Sequence, residues 1–252
     1  MEQTESYLID REQCPECASK GADNSCDNLA VYSDGHKYCY SCNYHQGSIK
    51  KGQTPLREPT NFNRISGDIK GLSHRRLEEK VCRQYNYQQA IINGKAVEIA
   101  EYRKDGTVVA QHLRGPDKKF YWSGTVRGVE LFGQHLWKSS KGKRLIISEG
   151  EIDCMTICQL LGHTWPVVSL PNGAAAAVRD IKQNLEFVSS HDEIVLFFDS
   201  DEAGQKAARD VAEILPPGKC KIASLAYKDP NEALMKNEGK MVVSAMFEAQ
   251  LY

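Results

Sequence analysis

Apolar and polar residues change their rhythm several times along this chain. From residue 143 to 235, short apolar runs alternate with longer mixed segments. The runs at 144–148, 166–170, 194–198 and 220–225 have strand length. The segments at about 151–161, 174–188 and 201–215 suit helices. In the first, Ile157, Cys158 and Leu161 share a stripe and Gly162 supplies a stop, while Pro216-Pro217-Gly218 ends the third. Such βα alternation predicts a mostly parallel sheet covered by helices. Residues 236–252 close the chain, with one more helix expected over 240–252.

Upstream the pattern differs. In residues 68–135, LSHRRLEEKVCRQY predicts a helix burying Leu72, Leu77 and Val81. A hairpin about Asp105-Gly106 and a strand in DKKFYWSG follow, which makes this an α+β piece. Residues 49–67 lack periodicity and contain two prolines, the signature of a linker that lets its flanks move relative to one another. In residues 10–48, LAVYSDGHKYCY alternates and turns at Asp34-Gly35, a second hairpin signal.

Cysteine spacing changes the picture of that first segment. Cys14 and Cys17 form one C-x2-C pair, Cys39 and Cys42 another, with 21 residues between them. Each pair places two thiolates on a tight knuckle, and two knuckles complete a tetrahedral all-thiolate site suited to one structural Zn2+. With four thiolates the tetrahedron is closed, so an open catalytic zinc, or His36 or His45 as a ligand, is disfavoured. Residues 10–48 are too few to bury a core of their own, so metal binding would carry much of their folding energy. The other five cysteines, Cys26, Cys82, Cys154, Cys158 and Cys220, are scattered and read as buried thiols. An odd total of nine favours a reducing cytoplasm over a disulfide framework. No apolar run reaches membrane-spanning length. The formal net charge of -1 excludes a polycation, so any nucleic-acid contact rests on local patches.

The acidic residues fall where a parallel sheet presents its chemistry. Glu149 follows the first apolar run of the βα region and Asp153 lies four residues later, on the same helix face. Glu151 points elsewhere and reads as peripheral, and Gly150 permits a tight strand-to-helix turn. Asp199 and Asp201 follow IVLFF two residues apart, and Asp229 precedes Pro230 beyond a fourth strand. Singly, each acid reads as a helix cap. Together they form an oxygen-only set suited to Mg2+ and phosphoryl transfer. Arg114, Lys118 and Lys119 in HLRGPDKKF are a charged hairpin surface or a counter-charge for a triphosphate or template. Asp34 and His36 sit at the tip of the first hairpin, as turn residues or as readers of base edges. Tyr32, Tyr38, Tyr40 and Tyr44 are stacking surfaces for unpaired bases or the small core of that unit.

SEGEID followed by FFDSDEAG resembles the Toprim signature of bacterial-type primases, topoisomerases and some nucleases. With the four-cysteine ribbon before it, and with LFGQHLW, VVSLPNGAAAA, LPPGK and YKDPNE, nearly the whole chain resembles the primase half of T7-like bacteriophage primase-helicases. The resemblance implies a multidomain α/β chain: a zinc ribbon over 10–48 for template recognition, a linker over 49–67, and a Toprim-type RNA polymerase domain. That domain would have an N-terminal α+β subdomain over 68–135 and a catalytic subdomain over 143–235. It implies a DNA-directed RNA primase that makes short primers on single-stranded DNA from ATP, CTP or other ribonucleoside triphosphates. Glu149, Asp153, Asp199 and Asp201 would be catalytic, with Mg2+ held by Glu149, Asp199, Asp201 and Asp229. Asp34 and His36 would read the template. Lys118 matches a family lysine at the nucleotide site, while the other family lysine falls on His112, a departure that shifts work toward Arg114; the nucleotide site would comprise His112, Arg114, Lys118 and Lys119. It further implies hand-off of primers to a replicative DNA polymerase, a helicase half that assembles into a ring, and the cytoplasm of an infected bacterial host. These 252 residues carry no G-x-x-x-x-G-K-[ST] motif, so no ATPase motor is expected in them. Two rivals share the residues: a Toprim-type nuclease, whose acids activate water, and a non-catalytic zinc-ribbon adaptor.

Overall fold

A computed structural model describes residues 8–19, 28–33, 35–39, 41–47, 62–116, 119–140 and 143–252. The chain divides into two compact units, Met1–Thr60 and Asn61–Tyr252. Asp34, Lys118, Tyr40, Cys26 and residues 49–61 of the expected linker lie outside the described residues.

In the first unit, strands β1 (Leu8–Glu12), β2 (Leu29–Tyr32), β3 (Lys37–Cys39) and β4 (His45–Gln46) form an antiparallel sheet in chain order, and a short helix α1 (Pro15–Ser19) follows β1. The expected hairpin is β2–β3, with Leu29 opposite Cys39 and Val31 opposite Lys37. Among the described residues, Cys14, Cys17, Leu29 and Cys39 form one buried cluster with Cys42 and Tyr44 packed against it, and Ala30 and Val31 are buried as well. So small an apolar core cannot outweigh the chain entropy of ordering the unit, which places the burden on the thiols.

The second unit opens with α2 (Glu79–Tyr85) and an antiparallel sheet of β5 (Gln88–Ile92), β6 (Lys95–Lys104), β7 (Thr107–Arg114) and β8 (Phe120–Gly124), in that order. Asp105 and Gly106 take φ of 51° and 81°, and Asn93 and Gly94 take 51° and 75°, so both tight hairpins follow the right-handed strand twist. The expected helix over 72–85 is shorter in the structure. Leu72 and Leu77 exchange backbone hydrogen bonds of 2.8 and 3.1 Å across a turn with Arg76 left-handed, and α2 begins only at Glu79. The turn still buries Leu72, Leu77 and Val81, so burial is satisfied without a continuous helix.

The βα region contains β9 (Arg144–Ser148), α3 (Glu151–Leu160), β10 (Val167–Ser169), α4 (Ala177–Gln183), α5 (Leu185–Ser189), β11 (Glu193–Phe197), α6 (Glu202–Ala212), β12 (Cys220–Ile222), α7 (Pro230–Met235), α8 (Gly239–Phe247) and β13 (Gln250–Leu251). The sheet order is β10-β9-β11-β12-β13, parallel except for the last pairing. Two expectations are corrected. The helix over 174–188 is divided, because buried Asn184 turns its side chain to the carbonyls of Val129 and Asp180. The final helix stops at Phe247, and Gln250 and Leu251 pair with β12 and occupy its open edge.

Side chains alternate across the parallel strands, as the strand period requires. Leu145, Ile147, Ile194 and Leu196 pack against Ala207 and Val211 of α6. Ile146, Val195 and Phe197 face the other way, into a core shared with Tyr85, Tyr102 and Phe132. Phe132 bridges to Ser169 at the sheet edge and stacks on Tyr85 at 5.3 Å, joining the two sheets in one core. Burying each such ring contributes roughly 1.5–3 kcal/mol. Among the described residues no helix is long and apolar enough to cross a membrane.

Candidate active site

Three neighbouring strands, β9, β11 and β12, end on the same edge of the parallel sheet, and the carboxylates lie just beyond those ends. Glu149 leaves β9 and accepts the Ala174 N–H at 3.3 Å through Oε1, while its Oε2 is buried without a hydrogen-bond partner. Asp153, in the first turn of α3, accepts the Asn231 N–H at 3.0 Å. Asp201 caps α6 through the Gly204 N–H at 2.9 Å, and Asp229 caps α7 through the Glu232 N–H at 2.7 Å. Asp199 is held by its backbone. Ser200 bonds from its N–H to Lys228 O at 2.8 Å, which draws the β11 and β12 loops together. Gly204 lies so close that a Cβ there would stand 2.4 Å from the Asp199 carbonyl oxygen. Gly150 is different: it is extended at φ −121°, and a Cβ would meet only Asp153 Oδ2 at 3.6 Å. The turn therefore does not require a glycine, and its smallness keeps the approach to Asp153 open.

Proximity of like charges shows in the acidities. Burial, then repulsion from Asp229, pushes Asp153 up to about 8. Burial and the Asp199 carboxylate raise Glu149 above the usual range. Burial also raises Asp199, against the pull of Lys228, whose ammonium lies 3.0 Å from Asp199 Oδ2 and 3.9 Å from Asp229 Oδ2. A buried carboxylate oxygen with no donor, among acids that resist ionisation, fits a set awaiting a divalent cation. The acids remain more open than the thiols: among the described residues, the four cysteines are the group of three or more Cys, His, Asp or Glu whose ligand atoms all lie within 4.8 Å of one another.

The thiols fit zinc closely. Cys14 and Cys42 Sγ are 3.5 Å apart and Cys17 and Cys39 Sγ 3.6 Å. That is too long for a disulfide and near the roughly 3.8 Å edge of a tetrahedron with 2.3 Å zinc–sulfur bonds. Burial works to raise the Cys39 thiol, but backbone N–H groups of Cys42 and Ser41 together with the neighbouring Cys42 and Cys14 thiols outweigh it and hold Cys39 at about 7. His36 stacks on Tyr32, centroids 4.1 Å apart and planes within 7°. Tyr38 donates to Asn43 Oδ1 at 2.7 Å, and Tyr44 packs on the cysteines.

On the antiparallel sheet, His112 and Trp122 face each other across β7 and β8, as do Arg114 and Phe120. The His112 imidazole stacks on Trp122 at 4.4 Å and on Phe120 at 5.1 Å, and the Arg114 guanidinium lies 5.2 Å from the Phe120 ring centre. His112 Nδ1 is 2.6 Å from Oε1 of Glu151, which also accepts the Tyr102 hydroxyl at 2.7 Å. Burial works to raise Glu151, yet these two bonds prevail and hold it below the usual range. Lys119 is exposed beside β8.

The chain aligns with the crystal structure of the primase fragment of the bacteriophage T7 primase-helicase at 32% identity and a TM-score of 0.70, over 95% of this chain and 99% of that one. The chain belongs to the T7-type phage primase family. Within that family, it is 32% identical over 97% of its length to the DNA helicase/primase of Enterobacteria phage T3, of which it spans 44%. It also matches, at 35% identity and a TM-score of 0.71 over 76% of this chain and 97% of that one, a chain in the structure of T7 lagging-strand DNA polymerase interacting with primase domains of two gp4 subunits bound to an RNA/DNA hybrid and dTTP. Residues 146–234 match a Toprim-like family model, and residues 67–124 match the N-terminal α+β fold of the bacteriophage T7 DNA helicase/primase.

In this primase-family chain, the five acids assemble from residues up to 80 positions apart, while Glu151, on the same helix as Asp153, turns instead to His112 and Tyr102. Helical spacing from Glu149 and Asp153 marks Glu151 as peripheral but says nothing about a partner on another sheet, which here is His112. Lys228 also belongs to this site, beside Asp199 and Asp229. Its place beside Asp229 in YKDPNE was its only local signal.

Proposed function

We propose that this chain is a DNA-templated RNA primase, joining ribonucleoside triphosphates on single-stranded DNA into short primers for phage replication. The observation that carries the reading is the convergence of Glu149, Asp153, Asp199, Asp201 and Asp229 at three adjacent strand ends, with Glu149 Oε2 buried and unpartnered. Glu149, Asp199, Asp201 and Asp229 would hold Mg2+. When bound, that ion would neutralise phosphate charge and lower the pKa of the attacking hydroxyl. Asp153 orients the set through α3 and the Asn231 N–H. Its raised pKa makes the Glu149 carboxylate the stronger base, suited to take the proton of the attacking 3′-OH. His112, Arg114, Lys118 and Lys119 supply positive and stacking surface for the nucleotide, and Lys228 adds a cation at the acidic centre. Cys14, Cys17, Cys39 and Cys42 hold one Zn2+, and Asp34 and His36 select the template.

The family supports further partners. A helicase portion would lie in the longer protein and assemble the ring, and a replicative DNA polymerase would receive the primer in the host cytoplasm. The test is incorporation of radiolabelled ATP and CTP on a library of short single-stranded templates with Mg2+. Primers are expected from the native chain, and none from Glu149→Gln or Asp199→Asn with native circular dichroism. Shortened DNA in place of primers, or undiminished dinucleotide synthesis by either variant, would overturn the reading.

A further inference from the structure

Glu151 stands two residues beyond Glu149, yet its carboxylate turns to the other sheet. One oxygen serves two groups, the Tyr102 hydroxyl at 2.7 Å and His112 Nδ1 at 2.6 Å. The Glu151 and His112 side chains are 12% and 15% exposed, so water competes little for this bond. Two nearly parallel stacking contacts, at 15° to Trp122 and 21° to Phe120, set the plane of the imidazole. Stacking alone leaves the ring free to turn over within its plane. The Glu151 bond removes that freedom: Nδ1 faces the carboxylate and Nε2 is turned away from it. A histidine fixed in tautomer and direction by a carboxylate is a built ligand, not a filler of sheet surface. Its neighbour along the ledge, Arg114, is a second cationic donor of the kind that takes phosphate oxygens.

We propose that Glu151 is a positioning residue: through Nδ1 it aims His112 Nε2 at a phosphate group, that of the incoming ribonucleoside triphosphate or of the nucleic-acid backbone. This rests on the primase reading above. A purely structural Glu151 would instead serve Tyr102 and the joint between the sheets, with no effect specific to His112.

The two roles separate in steady-state extension of an annealed primer by the full chain, with ATP and primer-template varied in turn. Variants are Glu151→Gln, His112→Ala, His112→Lys and the double variant Glu151→Gln/His112→Lys. Glu151→Gln is expected to raise one KM about tenfold, the usual scale for loss of an orienting partner, with kcat changed much less. His112→Ala should raise the same KM. A rise confined to ATP assigns the triphosphate, and one confined to primer-template assigns the backbone. In the His112→Lys background Glu151→Gln should add less than about twofold, because a lysine reaches a phosphate on a flexible stem without an orienting partner. A Glu151→Gln effect equally large in that background, or a general loss of kcat and thermal stability, would overturn the positioning role. So would a His112→Ala effect on KM that Glu151→Gln does not share. If His112→Ala moves neither KM, the phosphate role of His112 fails. The primase reading is judged separately, by Glu149→Gln and Asp199→Asn.

Discussion

Replacing Asp153 with Asn tests the electrostatics of the acidic centre without altering its shape. In the Mg2+-free protein, burial and the nearby Asp229 carboxylate hold Asp153 at about 8, against an ordinary value of 3.8. The unfolded chain at pH 7 has this group ionised, so folding must take up a proton against a gap of about 3 pH units, which costs about 4 kcal/mol as an upper limit. An amide needs no proton and keeps the bond from the Asn231 N–H through its own oxygen. Local rearrangement lowers the limit, so Asp153→Asn should stabilise the metal-free protein by about 2–4 kcal/mol at pH 7. With a urea slope of about 2 kcal/mol per molar, the midpoint should rise by about 1–2 M. The sign follows from linkage. Because the folded value lies above the unfolded one, the contribution of Asp153 is most favourable below pH 4 and is lost progressively up to pH 8. The advantage of the variant should therefore vanish near pH 4 and plateau above pH 8. Tryptophan fluorescence is the assay: Trp122, Trp137 and Trp165 are the three tryptophans of the chain, and all lie in the Asn61–Tyr252 unit. An unchanged or lower midpoint at pH 7, or a difference that does not vary with pH, would refute this electrostatic account. Primer synthesis should fall in the same variant, stabilising though the change is.

Gly204→Ala would put a methyl group 2.4 Å from the Asp199 carbonyl, so kcat should fall about 10–100-fold through displacement of that carboxylate, with normal KM for template as the check. Cys39→Ser should abolish stoichiometric zinc in metal analysis while leaving the tryptophan-monitored melt of the second unit unchanged; a shared collapse would count against independent units. His36→Ala, which removes the ring stacked on Tyr32, should impair initiation on a preferred template much more than extension of a preformed annealed dinucleotide. Equal loss in both assays rejects a recognition role for His36.

Much of this protein was legible from local pattern. The knuckle spacing brought four thiols within 4.8 Å of one another, and the βα rhythm matched β9 to β12 and the helices between them. The turns at Asp105-Gly106 and Asn93-Gly94 are legible because a primed hairpin turn is specified by two adjacent residues. The strand β5 carries only a weak signal of its own in QQAII and shows chiefly through its pairing with β6. Other features depended on partners distant in sequence. The break before α2 exists because Leu72 and Leu77 bridge across a turn, and the kink at Asn184 because its side chain meets Val129 and Asp180. β13 forms because β12 left an open edge. In the site, the spacing of Glu149 and Asp153 announced two acids on one face, but Glu151 gained its partner only when the antiparallel sheet packed on α3. Spacing encodes what one element presents; the tertiary structure alone determines what meets it, because hydrogen bonds and charge repulsion act over a few ångströms of space whatever the distance along the chain.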